Sequence, residues 1–429
     1  MPTRRTSLEW VSHVMDGHPA APYLCASAIR RHAAPLTDRA RQGQSELFAW
    51  RDDKLHDTAA YVAQIIKQNH PDLRVPYHAR WRHFEAGGVD RWAHTARQFG
   101  LAASDGQHDA QRLHRARVRV ELAIISVLLD AGAGAMWRYL DHETSQILSR
   151  SEGLAVASLR LYESGQLSSD PRQALRADAR ALIALQADDL ARAFQVSATN
   201  PLVGLDARVH LINRLGKVVH NNPAIFASAD EPDQHRLGNL VDTLIRLAPT
   251  GRIAAADILA LLLRTLGPVW PSRMSIRGVN LGDCWPHPYA PGGLIPFHKL
   301  TQWLTYSLLE PLEEAGLIIT DLDALTGLPE YRNGGLLLDS GLIAPLQPGF
   351  FESTWRPESQ AVVEWRALTV IGLDLLANAI RAQLHVDAAA FPLARVLEGG
   401  TWSAGRQLAA SKREGGGPPF RIELDGTIF

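Results

Sequence analysis

Apolar residues recur along this chain at spacings of three and four, as on helices with one buried face, and the two-residue alternation of half-buried strands is nearly absent. The pattern predicts a mainly α protein. Residues 115–131 are apolar on almost every side after Val118, which predicts a helix near the centre of a core, ended by Gly132 and Gly134. Residues 172–196, rich in Ala, Leu and Arg and preceded by Asp170-Pro171, predict an amphipathic helix with a proline at its start. Similar periodicity runs over 252–265, 297–315 and 358–384. Residues 268–296, with six prolines and four glycines, and residues 327–357, nearly as rich in both, predict long loops. Long connections in compact domains are more often functional than idle. The tail 418–429 has Asp425-Gly426 between two short apolar runs, a hairpin signal.

The chain has 429 residues, enough for one large core or two medium ones. We expect an N-terminal helical portion over 1–115 packed on a main helical domain over 116–429. Hydrophobic residues make up 46% and charged residues 21%, the balance of a chain that folds by itself. Lys plus Arg total 44 against 45 Asp plus Glu, a net charge of −1, so no positive excess exists to neutralise a nucleic-acid backbone. Cys25 and Cys284 are too few for a disulfide framework or a thiolate zinc site. The basic start Met1 to Arg5 leads into no apolar region of signal-peptide length, and Leu122 to Leu129, apolar but for Ser126, falls short of the roughly 20 residues that span a bilayer. A cytoplasmic protein without membrane or nucleic-acid partners is expected; nothing in the sequence fixes its oligomeric state.

None of the 17 histidines lies three or four residues from another, so the usual helical pair of metal ligands is missing and neither metal nor cofactor is expected. A phosphate loop, a dinucleotide fingerprint and a nucleophile elbow are missing too. Polar and aromatic residues concentrate instead in the last third. Asp283 and His287 lie in the first long loop; His298 and Lys299 open the next helix, where Lys299, Gln302, Trp303 and Tyr306 share a face. The plain alternative is a solvated lysine beside buried rings. Glu330-Tyr331-Arg332 places a carboxylate beside an arginine in the second loop, against the alternative of a turn with a structural ion pair. Glu364-Trp365-Arg366 repeats acid, ring, base within a helical pattern and reads first as an ion pair. Glu398-Gly399-Gly400-Thr401-Trp402 is either a site or a helix end at its two glycines. Asp130 ends the buried helix, where it either serves a site or satisfies backbone N–H groups. Trp81 to Arg91 is a turn-rich cluster, and Arg150-Ser151-Glu152-Gly153 resembles a helix start.

Several of these strings resemble one family. Ser126 to Gly134, Arg150 to Ser158, Gly282 to His287, Pro296 to Trp303, Leu325 to Gly335, Val363 to Thr369 and Asp425 to Phe429 together resemble the uracil catabolism protein family, across nearly the whole chain. The resemblance implies a place in a route that opens the pyrimidine ring and passes through ribosylurea toward urea. A second resemblance is to the queuosine salvage glycosidases, whose ordered Lys-x-x-Gln, Asp-Tyr-Arg and Asp-x-x-x-Trp elements look like Lys299-x-x-Gln302, Glu330-Tyr331-Arg332 and Glu398-x-x-x-Trp402. It implies a helical fold similar to helix-hairpin-helix DNA glycosylases. Both aspartates are glutamates here, one methylene longer.

Together these imply hydrolysis of the N-glycosidic bond of ribosylurea or its 5′-phosphate. Urea leaves poorly as an anion, so the leaving group must be protonated and the sugar cation stabilised, work that carboxylate pairs do for glycosides. On this reading Glu398 activates water or supports the cation, Glu330 holds the ribose hydroxyls and Lys299 hydrogen-bonds the urea. Arg332, Asp283, His287, His298, Gln302 and Asp130 supply a polar wall, with Trp303 and Trp402 as apolar faces. Arg332 or Arg366 would pair with a phosphate. The rivals are an amidohydrolase acting on the ureido group, which usually needs a metal or nucleophile, and a non-catalytic ligand-binding protein of the same pathway.

Overall fold

The computed structural model describes residues 17–103, 108–228, 233–270 and 273–423. The helices that build the site are α1 (Ala26–Arg41), α2 (Leu55–Asn69), the short α3 (Trp81–Phe84), α4 (Asp109–Leu128), α5 (Arg150–Glu163), α6 (Lys299–Glu314), α7 (Tyr331–Asp339), α8 (Gln360–Leu384) and α9 (Ser403–Lys412). The mainly α expectation holds.

Helix α4 is the all-round apolar segment read from the sequence, and Val118, Leu122, Ile124, Ile125 and Val127 are all wholly buried. Burying each such side chain contributes roughly 1.5–3 kcal/mol, so the helix is held by packing from every side. It lies against α5 and α6. A second long helix, α8, packs against α1, α2 and α7. By length and composition α8 is apolar enough to cross a membrane, but Val363, Trp365, Leu368 and Leu373 on it are fully buried within the protein. One apolar cluster runs from Ala20 to Ile422, so α1 and α2 share a core with the C-terminal helices.

Three expectations are corrected. Residues 172–196 do not form one helix: Ala179–Ala184 and Ala187–Ala193 are separate. Asp178 caps the first, accepting from Ala181 N at 3.2 Å, and a Gln186–Asp189 capping box starts the second, so local caps outcompete the continuous pattern. Residues 327–357 are not all loop, because α7 occupies Tyr331–Asp339. Gly334 is there for space: a Cβ on it would sit 2.2 Å from the Trp365 ring, and its carbonyl accepts from Trp365 Nε1 at 3.2 Å. The helix does not end at Gly399-Gly400; it widens into a π-helical turn, Val396–Trp402, that runs on into α9.

Short strands are spread along the chain rather than kept to its end. Phe48–Trp50 pairs antiparallel with Ile343–Pro345, Arg252–Ala254 pairs parallel with Ile318–Thr320, and within the first long loop Cys284–Pro286 pairs antiparallel with Leu294–Pro296. In the tail, Arg421–Ile422 pairs parallel with Thr354–Trp355; the Asp425-Gly426 turn and the Asp425 to Phe429 motif lie outside the described residues.

Candidate functional site

Glu330 and Glu398 come from segments that touch. Glu330 is the N-cap of α7, accepting from Arg332 N at 2.8 Å and Asn333 N at 2.7 Å. Asn333 in turn accepts from Thr401 Oγ1 at 2.8 Å, which ties the first turn of α7 to the π-helical turn that carries Glu398. That turn lies against α2 and the segment that follows it, and its glycines let it do so: a Cβ on Gly400 would meet Val62 of α2 at 2.9 Å, and one on Gly399 would meet Val75, beyond the end of α2, at 2.8 Å. Glu398 Oε2 is 2.6 Å from His78 Nδ1, a pair with both side chains largely buried.

The same stretch that supplies His78 reaches the other walls. His83 lies edge-on to Trp303 of α6 at 5.4 Å and to Trp402 of the π-helical turn at 6.3 Å, so one ring bridges the lysine helix and the glutamate turn. Burial holds His83 well below the usual histidine range, and Arg80 and His78 push the same way, so its imidazole is neutral at pH 7. Arg80 is fully buried, donates to Asp130 Oδ2 at 2.9 Å and to Ser126 Oγ at 2.6 Å, and lies 5.4 Å over the Trp303 ring. Ser151 also donates to Asp130 Oδ2. Trp303 Nε1 and Arg80 Nη2 are buried without a hydrogen-bond partner among the described residues.

Lys299 opens α6 one turn before Trp303. Burial is the largest influence on its ammonium and lowers its pKa; Arg366 acts in the same direction, while Glu330, Asp283 and Asp130 oppose it. Lys299 is thus within electrostatic reach of Glu330 and of Asp130, residues far apart in the sequence.

The remaining expected residues form a brace behind this wall. Asp283 takes a bidentate pair from Arg366, at 2.8 and 2.7 Å, and accepts from Trp285 Nε1 at 2.6 Å and from Lys299 N at 3.0 Å. These partners hold its carboxyl below the usual carboxylate range against a large burial penalty. Its backbone carbonyl accepts from Phe297 N and His298 N, which fixes the start of α6. His298, at φ 49°, places Nε2 2.8 Å from the Tyr23 carbonyl. Gln302 is wholly buried and spends its amide on Thr326 and the Phe297 carbonyl. His287 lies 3.7 Å from Glu364, which Ser45 also contacts, and burial lowers its pKa to about 4. A separate apolar cavity lies beside Asp283 and His298, lined also by Leu24, Leu263 and Trp270; Lys299, Glu330 and Glu398 do not line it.

Sequence reasoning left His78, Arg80 and His83 out of the site, although their surroundings from Trp81 onward stood out as a cluster. It read Ser151 only as part of a helix start. Among the described residues no group of three or more His, Cys, Asp or Glu is arranged to hold a metal ion.

The chain is a mainly helical protein in which Lys299 is within electrostatic reach of Asp130 and Glu330, and the helix that Glu330 caps is tied through Asn333 to the turn that carries Glu398 and Trp402. Residues 23–429 match the family described as "Protein of unknown function (DUF1688)". The chain is 36% identical to "Protein urg3" of Schizosaccharomyces pombe, with 97% of this chain and all of the relative covered. It is 35% identical to "Uracil catabolism protein 4" of Lachancea kluyveri, with 96% and 99% covered. The chain belongs to this family, the uracil catabolism family that its motifs resemble.

Proposed function

We propose that this protein acts in uracil catabolism as a hydrolase that cleaves the N-glycosidic bond of ribosylurea, or of its 5′-phosphate, to urea and the ribose product. The observation that supports the reading is that Lys299, its pKa lowered by burial, is within electrostatic reach of Asp130 and Glu330, while the helix that Glu330 caps is tied through Asn333 to the turn that bears Glu398 and Trp402. The relative named for uracil catabolism supplies the pathway.

Each group has a task. A buried ammonium gives up its proton more readily, so Lys299 protonates the urea nitrogen as the C1′–N bond breaks. Glu398 is held through one oxygen by His78, and the other takes a proton from the water that adds to C1′. Solvent then returns that proton from Glu398 to Lys299, which leaves urea, the sugar and an unchanged protein. Glu330 uses two of its roughly four lone-pair sites on backbone N–H groups and offers the rest to ribose hydroxyls. Trp303 and Trp402 form apolar faces that keep the site dry. Asp283 and Arg366 hold Lys299 in place from behind.

The direct test is incubation of the purified protein with ribosylurea and with its 5′-phosphate, assaying urea and free sugar together. Equimolar release of both from one of the substrates is expected. Release of ammonia without free sugar would move the reaction to the ureido group and end this reading.

A further inference from the structure

We infer that Thr401 is a positioning residue: its hydroxyl holds the Val396–Trp402 turn in the widened form that points Glu398 at His78. The inference rests on the glycosidase reading above and adds what keeps the proposed base in place.

The turn needs support from outside. π-helical turns are rare beside α-helical ones and occur mostly as single turns within helices. Two of the seven residues in this one, Gly399 and Gly400, are poor helix formers. Three side-chain bonds clamp it. Ser403 Oγ donates to the Glu398 carbonyl at 3.1 Å, a local bond that moves with the turn. Glu398 Oε2 meets His78 Nδ1 at 2.6 Å, the contact to be secured. Thr401 Oγ1 donates to Asn333 Oδ1 at 2.8 Å, and both residues are wholly buried.

The Thr401 bond is anchored on its far side. Asn333 Nδ2 donates to the Leu328 carbonyl at 3.1 Å, and its backbone N–H donates to Glu330 Oε1 at 2.7 Å. Asn333 thus has no freedom to follow a moving partner, and its buried oxygen is left unsatisfied if Thr401 turns away, which opposes that movement. An α-helix advances about 100° per residue, so loss of the one-residue widening would swing Glu398 by about that angle relative to α9 and away from His78. Because Asn333 bonds Glu330 as well as Thr401, one buried residue sets both proposed carboxylates in a common frame.

The test is to determine crystal structures, and to measure turnover of ribosylurea and its 5′-phosphate, for the full chain as wild type, Thr401→Val and Thr401→Ser. Valine keeps the shape and removes the hydroxyl; serine keeps the hydroxyl and loses a methyl group. Both lower the thermal midpoint, one through the unpaired Asn333 oxygen and the other through the lost methyl, so a merely structural role would affect the two alike. In Thr401→Val the Glu398–His78 contact is expected to open beyond hydrogen-bond range, and kcat to fall about 100-fold while KM changes less than about threefold. Thr401→Ser is expected to keep the 2.6 Å contact and to stay within about threefold of wild type in kcat. A Glu398–His78 contact intact in Thr401→Val, or a loss of turnover as large in Thr401→Ser as in Thr401→Val, would overturn the inference. Should Thr401→Val not fold, Thr401→Ala removes the same hydroxyl with less bulk and is read on the same two measures. Wild type that releases no urea from either substrate defeats the glycosidase reading alone, and the Glu398–His78 distance in the variants then decides the role of Thr401.

Discussion

The two sides of the start of α6 are equally polar and differ in how far their polar groups are used. Behind the helix, Asp283 accepts from Arg366, Trp285 Nε1 and Lys299 N, and Gln302 spends its amide on Thr326 and backbone, while His287 Nε2 is buried without a hydrogen bond among the described residues. In front, Asp130 takes Arg80 and Ser151 on one oxygen, Glu398 takes His78 on one oxygen, and Trp303 Nε1 has no partner among the described residues. A buried polar group left unused costs free energy, so it persists where something outside the chain satisfies it in use. Saturation therefore separates Asp283 and Gln302, which hold backbone, from Asp130 and Glu398, which the proposed reaction uses.

Two substitutions of carboxylate by amide break this comparison most sharply. In front, Glu398→Gln keeps shape and removes the base, so turnover of the ribosylurea substrate is expected to fall by about 10²–10⁴-fold. Its denaturation midpoint should stay near wild type; a matched loss of stability and turnover would place Glu398 with the brace. Behind, Asp283→Asn leaves the buried Arg366 without its counter-charge and is expected to cost about 3–5 kcal/mol in urea denaturation. Turnover per folded molecule should drop far less than for Glu398→Gln. A stability unchanged by this substitution would show that the pair is no brace.

What the sequence revealed follows from the range of the forces involved. Periodicity reports burial over a turn or two, so α4, α6 and α8 were legible, as was the pairing of Arg366 with some acid. Glu330 and Glu398, on which the proposal rests, stood out because each lies in a short distinctive string. The functions of Gly334, Gly399 and Gly400 were not legible, because a glycine that admits Trp365, Val62 or Val75 looks in one sequence like a glycine that ends a helix. Arg80 was missed for the same reason: its role is set by Asp130, fifty residues away, and α3 is too short to show a period. Gly334→Ala sharpens this point. Its new methyl would meet the Trp365 ring, and a loss of about 1–3 kcal/mol is expected on chemical denaturation. An unchanged stability would mean that Gly334 serves the loop role the sequence suggested.

The smallest effect separates the two sides by their protons. His83 in front and His287 and His298 behind all have pKa values lowered chiefly by burial, so each stays neutral in the folded chain at a pH where the unfolded chain takes up a proton. With the folded pKa depressed, the unfolded state binds more protons below about pH 6.5, and stability falls as the pH drops through that window. Each such histidine adds up to about 1.4 kcal/mol per pH unit to the slope. His83→Gln should remove one such share from the acid limb and leave stability at pH 8 little changed, since His83 contacts its neighbours through ring edges rather than an ion pair. Substrate bound against Trp303 and Trp402 should steepen the acid limb in wild type if it excludes the protonated ring, and should do so less in His83→Gln. Denaturation curves from pH 5 to 8, with and without ribose 5-phosphate, measure both slopes. An acid limb unaltered by His83→Gln would mean that the ring titrates in the folded chain as it does in the unfolded one, and burial would then not be what sets its charge.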